Sequence, residues 1–125
     1  MSYTKAFNDH FSEFIGDMIS VFPENDDLRT LSVFISTIRK ANPKILGSVW
    51  YECVTVPYGS KIEAGEIDYF LEKDYSQDLE GNTSRDEVIK SIDSFRQPIR
   101  EMSPDNKGKA LKYIQNLTKL SKLIK

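Results

Sequence analysis

The residues with the clearest potential for metal binding lie in one acidic stretch of the sequence, SQDLEGNTSRDE. Ser76, Asp78 and Glu80 occupy the first, third and fifth positions of a calcium-binding loop pattern, and Glu87 occupies the position of its closing carboxylate. The first position requires a carboxylate, however, and here it carries only the hydroxyl of Ser76. The pattern therefore indicates an acidic surface loop, and we expect no metal site.

Nucleophilic or acid-base catalysis would have to use the single histidine, His10, or the single cysteine, Cys53. On a helix, Glu13 is the one neighbour of His10 that could orient its imidazole, so we expect His10 to be a surface or boundary residue. Cys53 lies in the apolar stretch SVWYECVTV, which is typical of a buried helix face. The six glycines are isolated and form no phosphate-binding loop. These patterns indicate a protein that is not an enzyme and that uses no cofactor or small-molecule substrate.

The elements that would position these residues are helices, because apolar residues recur at helical spacing along the chain. The pattern predicts an all-α fold, a single compact bundle of about five to six helices. With 125 residues and 39% hydrophobic side chains, the chain can form one domain over residues 1–125. Five large side chains are expected at the centre of the bundle: Phe11, Trp50, Phe70, Phe95 and Leu117.

Polar caps and prolines set the expected boundaries of the first helices. Asp26 or Asp27 is expected to cap the second helix. Asn42 is expected to cap the third helix, with Pro43 at its first position. Pro57 is expected to end or kink that helix, because a proline removes a backbone donor and clashes with the preceding turn.

The later boundaries are predicted in the same way. Gly65 is expected to stop a short turn in left-handed geometry. Thr83 or Ser84 is expected to cap the next helix, which Pro98 would bend. Ser103 is expected to cap the last helix.

Charge is distributed unevenly, although the formal net charge is only -2. Residues 107–125 hold six lysines and no acid, whereas residues 63–87 hold nine acids and two bases. Such polarity steers contact with oppositely charged neighbours. The residues that we expect to contact a partner are four lysines of the last segment and four acids of the middle segment: Lys109, Lys112, Lys119, Lys122, Glu66, Asp68, Asp74 and Asp78.

The lysine-rich last segment has three competing interpretations. It could pack through its apolar stripe, contact an acidic protein surface, or bind nucleic acid or a membrane. The overall negative charge disfavours nucleic acid, and Tyr113 is the one aromatic residue available for a membrane boundary. The sequence has no apolar run of about 18 residues and no signal-peptide pattern at its start, so we expect a cytosol-like compartment.

A family resemblance rests on three stretches of the sequence, namely IRKANPKILGSVWYECVTVPY, GEIDYFLEKDYSQDL and KYIQNLTKLSKL. Together they resemble a family of small helical proteins encoded by nucleocytoplasmic large DNA viruses, especially algal and mimivirus-like ones. The matching positions include Trp50, Gly65 and Pro98, and each has a structural explanation as a core, turn or kink residue.

The resemblance implies a viral protein, and chains of this size in large icosahedral viruses are commonly minor capsid components. We therefore expect a non-enzymatic virion protein whose partners are other capsid or virion proteins. It would be found in the virion and, during assembly, in the host cell cytoplasm. The alternative is an intracellular adaptor that binds a host or viral protein.

Overall fold

The chain is a bundle of α-helices in this computed structural model, which describes residues 3–66, 68, 71 and 84–124. The described residues form no strand, so the predicted all-α fold is confirmed. The elements are, in chain order, α1 (Tyr3–Val21), α2 (Asp26–Ala41), α3 (Ile45–Trp50), a π-helical turn (Tyr51–Thr55), α4 (Val56–Glu63), α5 (Ser84–Arg100) and α6 (Pro104–Ile124).

The last helix, α6, lies at the centre of the packing. It contacts α1, α3, the π-helical turn and α4, while α5 covers α2 and α3. As the helical period predicts, α6 buries one stripe, in which Ala110, Ile114 and Leu117 are removed from solvent.

Aromatic side chains of α1 and α3 form the middle of the core. The ring of Trp50 meets the ring of Phe11 edge to face, with centroids 6.0 Å apart, and that of Phe7 at 6.2 Å. The predicted burial of Phe11, Trp50 and Leu117 is confirmed. Phe70 and the side chain of Phe95 lie outside the described residues.

The second helix begins one residue before the predicted cap. Asn25 is the N-cap of α2, and its side-chain oxygen accepts a hydrogen bond from the backbone N–H of Leu28 at 3.1 Å. The prediction that Asp26 or Asp27 caps α2 is therefore wrong. Both carboxylates lie instead in the first turn, where the helix dipole favours negative charge.

Asn42 ends α2 and does not start α3. Its backbone is extended, with φ -150° and ψ 82°, because the following Pro43 disfavours helical geometry there. Its N–H donates to the carbonyl of Ile38 at 2.7 Å, which closes the last turn of α2. A turn through Pro43 and Lys44 follows, so the prediction of Asn42 as N-cap and Pro43 as first helical residue is wrong.

Pro57 does not end the helix that contains it. The backbone stays helical from α3 through the π-helical turn into α4, where Pro57 lies in the first turn. The N–H of Val56 donates to the carbonyl of Tyr51, five residues earlier. This wider turn is the local change that accommodates the proline within a continuous helical rod.

Gly65 stops α4 in left-handed geometry, with φ 86°, as predicted. The N–H of Glu66 donates to the carbonyl of Lys61 at 2.8 Å, and the N–H of Gly65 donates to that of Ile62 at 3.0 Å. These two bonds satisfy carbonyls that the end of the helix would otherwise leave unpaired.

One predicted boundary signal of the two long C-terminal helices, the Ser103 cap, is confirmed. α5 begins at Ser84, and Thr83 lies outside the described residues. Pro98 lies inside α5, which continues to Arg100. The hydroxyl of Ser103 accepts a hydrogen bond from the N–H of Asn106 at 3.3 Å, which confirms Ser103 as the cap of α6.

Candidate functional site

A groove of about 520 Å³ opens between α1 and the N-terminal half of α6. Helical spacing brings its walls together, because residues three, four and seven apart share one face of a helix. The charged and aromatic side chains that line the groove are His10, Glu13 and Asp17 from α1 and Asp105, Lys109, Lys112 and Tyr113 from α6.

The ring of Tyr113 forms the floor of this groove. It stacks on Phe14, with centroids 5.2 Å apart, and lies against the imidazole of His10 at 4.9 Å, with the two ring planes tilted by 39°. Its hydroxyl donates a hydrogen bond to the carboxylate of Asp17. Burial, and then the bond to Asp17, raise the pKa of Tyr113, so the phenol stays a hydrogen-bond donor.

His10 lies at the boundary between the core and solvent, as predicted. Its Nδ1 is 3.9 Å from the Oε2 of Glu13, and its Nε2 is buried without a hydrogen-bond partner among the described residues. Cys53 is buried on a different element, the π-helical turn, which confirms its predicted packing role. Cys53 and His10 therefore lie on different elements.

Three of the four predicted lysines share the solvent-exposed side of α6. Lys109 and Lys112 line the groove, and Lys119 is exposed about two turns further on. Within the described residues, none of the three forms an ion pair with a carboxylate. They are available to a partner.

The fourth predicted lysine, Lys122, has an internal partner. Its Nζ lies 2.5 Å from the Oε1 of Glu63 on α4. That hydrogen bond, together with the positive charge of Lys122, lowers the pKa of Glu63.

The predicted acidic surface is described only in part. Glu66 lies just beyond α4, where its Oε2 is 3.9 Å from the Nζ of Lys61, and Asp68 is exposed. Asp74 and Asp78 lie outside the described residues, as does most of the calcium-loop pattern. Among the residues that the structure does describe, no group of three His, Cys, Asp or Glu side chains could hold a metal ion.

A second cleft, between α1 and the end of α2, is lined by Lys44 and by two cations that already have partners, Lys5 and Arg39. The carboxylate of Asp9 pairs with Lys5 and with Arg39, at 2.6 Å in each case. The bonds from Lys5 and then Arg39 lower the pKa of Asp9. Asn8, which is buried, donates to the carbonyl of Pro43 at 2.8 Å. These contacts tie α1 to α2, so we assign this cleft a structural role.

Sequence patterns found only one wall of the groove. The lysines of α6 were predicted from their charge. Glu13 was considered only as a neighbour of His10, and Asp17 has the pattern of an ordinary solvated position on an amphipathic helix. Their spacing of four residues on one face was the available signal. The sequence could not show that this face lies beside α6.

Comparison of the chain with protein-family models, with curated proteins and with solved structures finds no match. Of the helices in residues 3–66 and 84–124, none combines the length and the apolar character needed to cross a membrane.

Proposed function

We propose that the chain is a non-enzymatic assembly protein, a minor capsid component of a large DNA virus that contacts neighbouring virion proteins. The viral context comes from the sequence resemblance. The observation that carries the contact role is the exposed lysine row of α6, Lys109, Lys112 and Lys119, which forms no internal ion pair with the described residues.

The packing of α6 favours contact with a rigid partner surface. Its apolar stripe, with Ile114 and Leu117 fully buried, is used within the bundle, so α6 is already ordered before any partner arrives. A preordered helix loses little conformational entropy on binding, and exposed cations raise the rate of encounter with an acidic surface.

The arrangement also supports a role without catalysis. Cys53 is buried on the π-helical turn and His10 lies on α1, an arrangement that does not favour a nucleophile and base pair. The groove offers charges for recognition and a tyrosine that keeps its proton. These are features of a binding surface.

Quantitative mass spectrometry of purified virus particles tests the proposal. The particles are treated with nuclease and washed with salt, so that loosely attached proteins are removed. Retention of the chain at a fixed ratio to the major coat protein is the expected result. Loss of the chain from washed particles, with the coat protein retained, contradicts the capsid role.

An intracellular adaptor is the second candidate, and the groove is the observation that favours it. A concave site with both signs of charge suits one segment of one partner better than a broad interface between capsid proteins. An adaptor would be enriched in the lysate of infected cells and depleted from washed particles.

Nucleic-acid binding is disfavoured by the neighbours of the lysines. Glu13 and Asp17 face Lys109 and Lys112 across the groove and would repel a phosphate backbone. Affinity for DNA that falls steeply with salt would reverse this judgement.

A further inference from the structure

We propose that the groove between α1 and α6 binds an extended segment of a partner protein in which an acidic residue and an arginine are adjacent. This inference rests on the proposed function, because it assigns the chemistry of the partner that the lysines of α6 contact. It concerns the groove itself, whereas the proposed function concerns the exposed face of α6 as a whole.

The two walls of the groove carry net charges of opposite sign. Lys109 and Lys112 stand on the α6 wall together with one acid, Asp105, and Glu13 and Asp17 stand on the α1 wall. Among the described residues, no ion pair joins these lysines to Glu13 or Asp17, and Glu13 lies 3.9 Å from the imidazole of His10. An occupant with one sign of charge would meet attraction from one wall and repulsion from the other. An occupant with both signs would be attracted by both walls.

An extended chain presents its charges in the required way. Successive side chains of an extended segment point to opposite sides, so adjacent acidic and basic residues would face opposite walls. The seven residue steps from His10 to Asp17 cover about 10 Å of helix axis. That length corresponds to about three extended residues.

The floor of the groove favours arginine as the basic residue. The rings of His10 and Tyr113, tilted against each other, line the groove, and a planar guanidinium stacks on aromatic surface better than an ammonium group. Glu13 is exposed, lines the groove beside these rings, and can accept two hydrogen bonds from one guanidinium. Asp17 accepts the hydroxyl of Tyr113.

Gly108 keeps the α6 wall open. It lies inside α6 without left-handed geometry, and a Cβ atom added there would meet nothing within 4 Å. Neither the backbone nor the packing of the protein requires a glycine at this position. Its effect is to leave space beside Lys109 and Lys112. Gly16, in α1, is equally open but does not line the groove, so it provides a matched control.

The experiment is an NMR titration of the full chain, labelled with ¹⁵N, with the acetylated peptide amide Gly-Glu-Arg-Gly. Gly-Glu-Gln-Gly and Gly-Gln-Arg-Gly serve as peptides with one charge removed. We expect the two-signed peptide to shift the amide signals of His10, Glu13 and Lys109, and to bind about two- to fivefold more tightly than either control, as one added exposed ion pair allows. Equal binding of the acidic control overturns the proposal, and so does the absence of shifts in the groove.

Variants locate the binding. Gly108→Leu should remove the shifts and Gly16→Leu should retain them, with circular dichroism confirming that both variants fold. Lys109→Glu should weaken binding of the two-signed peptide. This variant tests the groove even if Gly108→Leu fails to fold. Retained binding in folded Gly108→Leu, or in Lys109→Glu, contradicts the assignment of the groove.

The same variants separate this inference from the proposed function. If Gly108→Leu enters virus particles normally while Lys119→Glu does not, the groove is not the contact site and the assembly role stands. If wild-type protein is absent from particles, the assembly role fails, and the peptide titration alone decides whether the groove binds.

Discussion

The two flanks of α6 differ in how completely the protein uses them. On the flank that faces α4, Gln115 donates to the carbonyl of Ile62 at 2.9 Å, and Lys122 pairs with Glu63. On the flank that faces α1, Lys109 and Lys112 border an open groove and form no ion pair among the described residues. The α4-facing flank is closed by internal partners. The α1-facing flank is left open.

The difference shows how one helix can serve both stability and recognition. Next to the α4-facing flank, Trp50 donates to the hydroxyl of Thr118 at 3.2 Å, and the hydroxyls of Thr55 and Ser121 lie 2.6 Å apart. Buried polar groups are costly unless they are paired, and here they pair with one another. These contacts fix the position of α6, so its opposite flank is presented to a partner in one orientation.

The largest loss of stability is expected from removing the indole of Trp50, which packs next to the α4-facing flank. Trp50→Ala should lower the free energy of unfolding by about 3–5 kcal/mol, because Trp50 is fully buried and the cavity left behind cannot fill. Val33→Ala is the control, since 68% of that residue is exposed. Denaturant unfolding measures both changes. A loss below about 1 kcal/mol for Trp50→Ala would contradict this role.

A smaller effect is expected from the hydroxyl pair on the same side. Thr55→Val removes one of two partners of the buried Ser121 hydroxyl, which also donates to the carbonyl of Thr118 at 2.7 Å, and should cost about 0.5–1.5 kcal/mol of unfolding free energy. Thr37→Val is the matched control, because the Thr37 hydroxyl bonds only to the carbonyl of Val33 on an exposed face of α2. Equal losses of unfolding free energy in the two variants would show that the buried hydroxyl pair contributes no more stability than an exposed hydrogen bond.

The α1-facing flank should tolerate a larger side chain in place of Gly108, and the protein should gain stability from the change. Gly108→Ala and Gly16→Ala should each raise the free energy of unfolding by about 0.5–1 kcal/mol, because alanine has the higher helix propensity and both sites have room for a methyl group. Thermal unfolding of the two variants tests this. A loss of stability at Gly108 alone would show that the protein packs against that position, and the groove would not be open.

The smallest effect on the free energy of unfolding at neutral pH is expected from changes at Tyr113. The pKa of Tyr113 is raised in the folded state, so its protonated phenol contributes to the free energy of unfolding. That contribution is fully present below the ordinary tyrosine pKa of about 10 and is lost as pH rises. Unfolding free energy should therefore fall above about pH 10, and less so in Tyr113→Phe.

Absorbance of tyrosinate provides the direct readout. Tyr113 should ionise above the pH at which an ordinary tyrosine does, and Tyr113→Phe should remove that late step. Asp17→Asn should move the step to lower pH, since it removes the charge that opposes ionisation. A wild-type titration without a late step would contradict the burial of Tyr113 and its hydrogen bond to Asp17.

The sequence predicted the parts of the fold that depend on periodicity. The buried stripe of α6 and its Ser103 cap are examples, because both follow from local spacing and residue type. Asn25 and Asn42 were misassigned because several polar residues compete for each cap, and backbone geometry decides between them. The π-helical turn before Pro57 has no residue pattern of its own.

The groove could be predicted only on its α6 side. Tyr113 and Asp17 are 96 residues apart in the chain, so their contact depends on which helices become neighbours. Helical periodicity predicts a buried face for α1 and for α6 but does not pair them.

The most direct test is particle incorporation of two charge-matched variants. Lys109→Glu/Lys112→Glu reverses two charges of the α1-facing flank, and Lys40→Glu/Lys44→Glu reverses two exposed charges away from it. We predict that the first variant keeps its thermal stability and is lost from salt-washed particles, while the second is retained. Equal retention of both variants would contradict the claim that this flank of α6 is the partner surface.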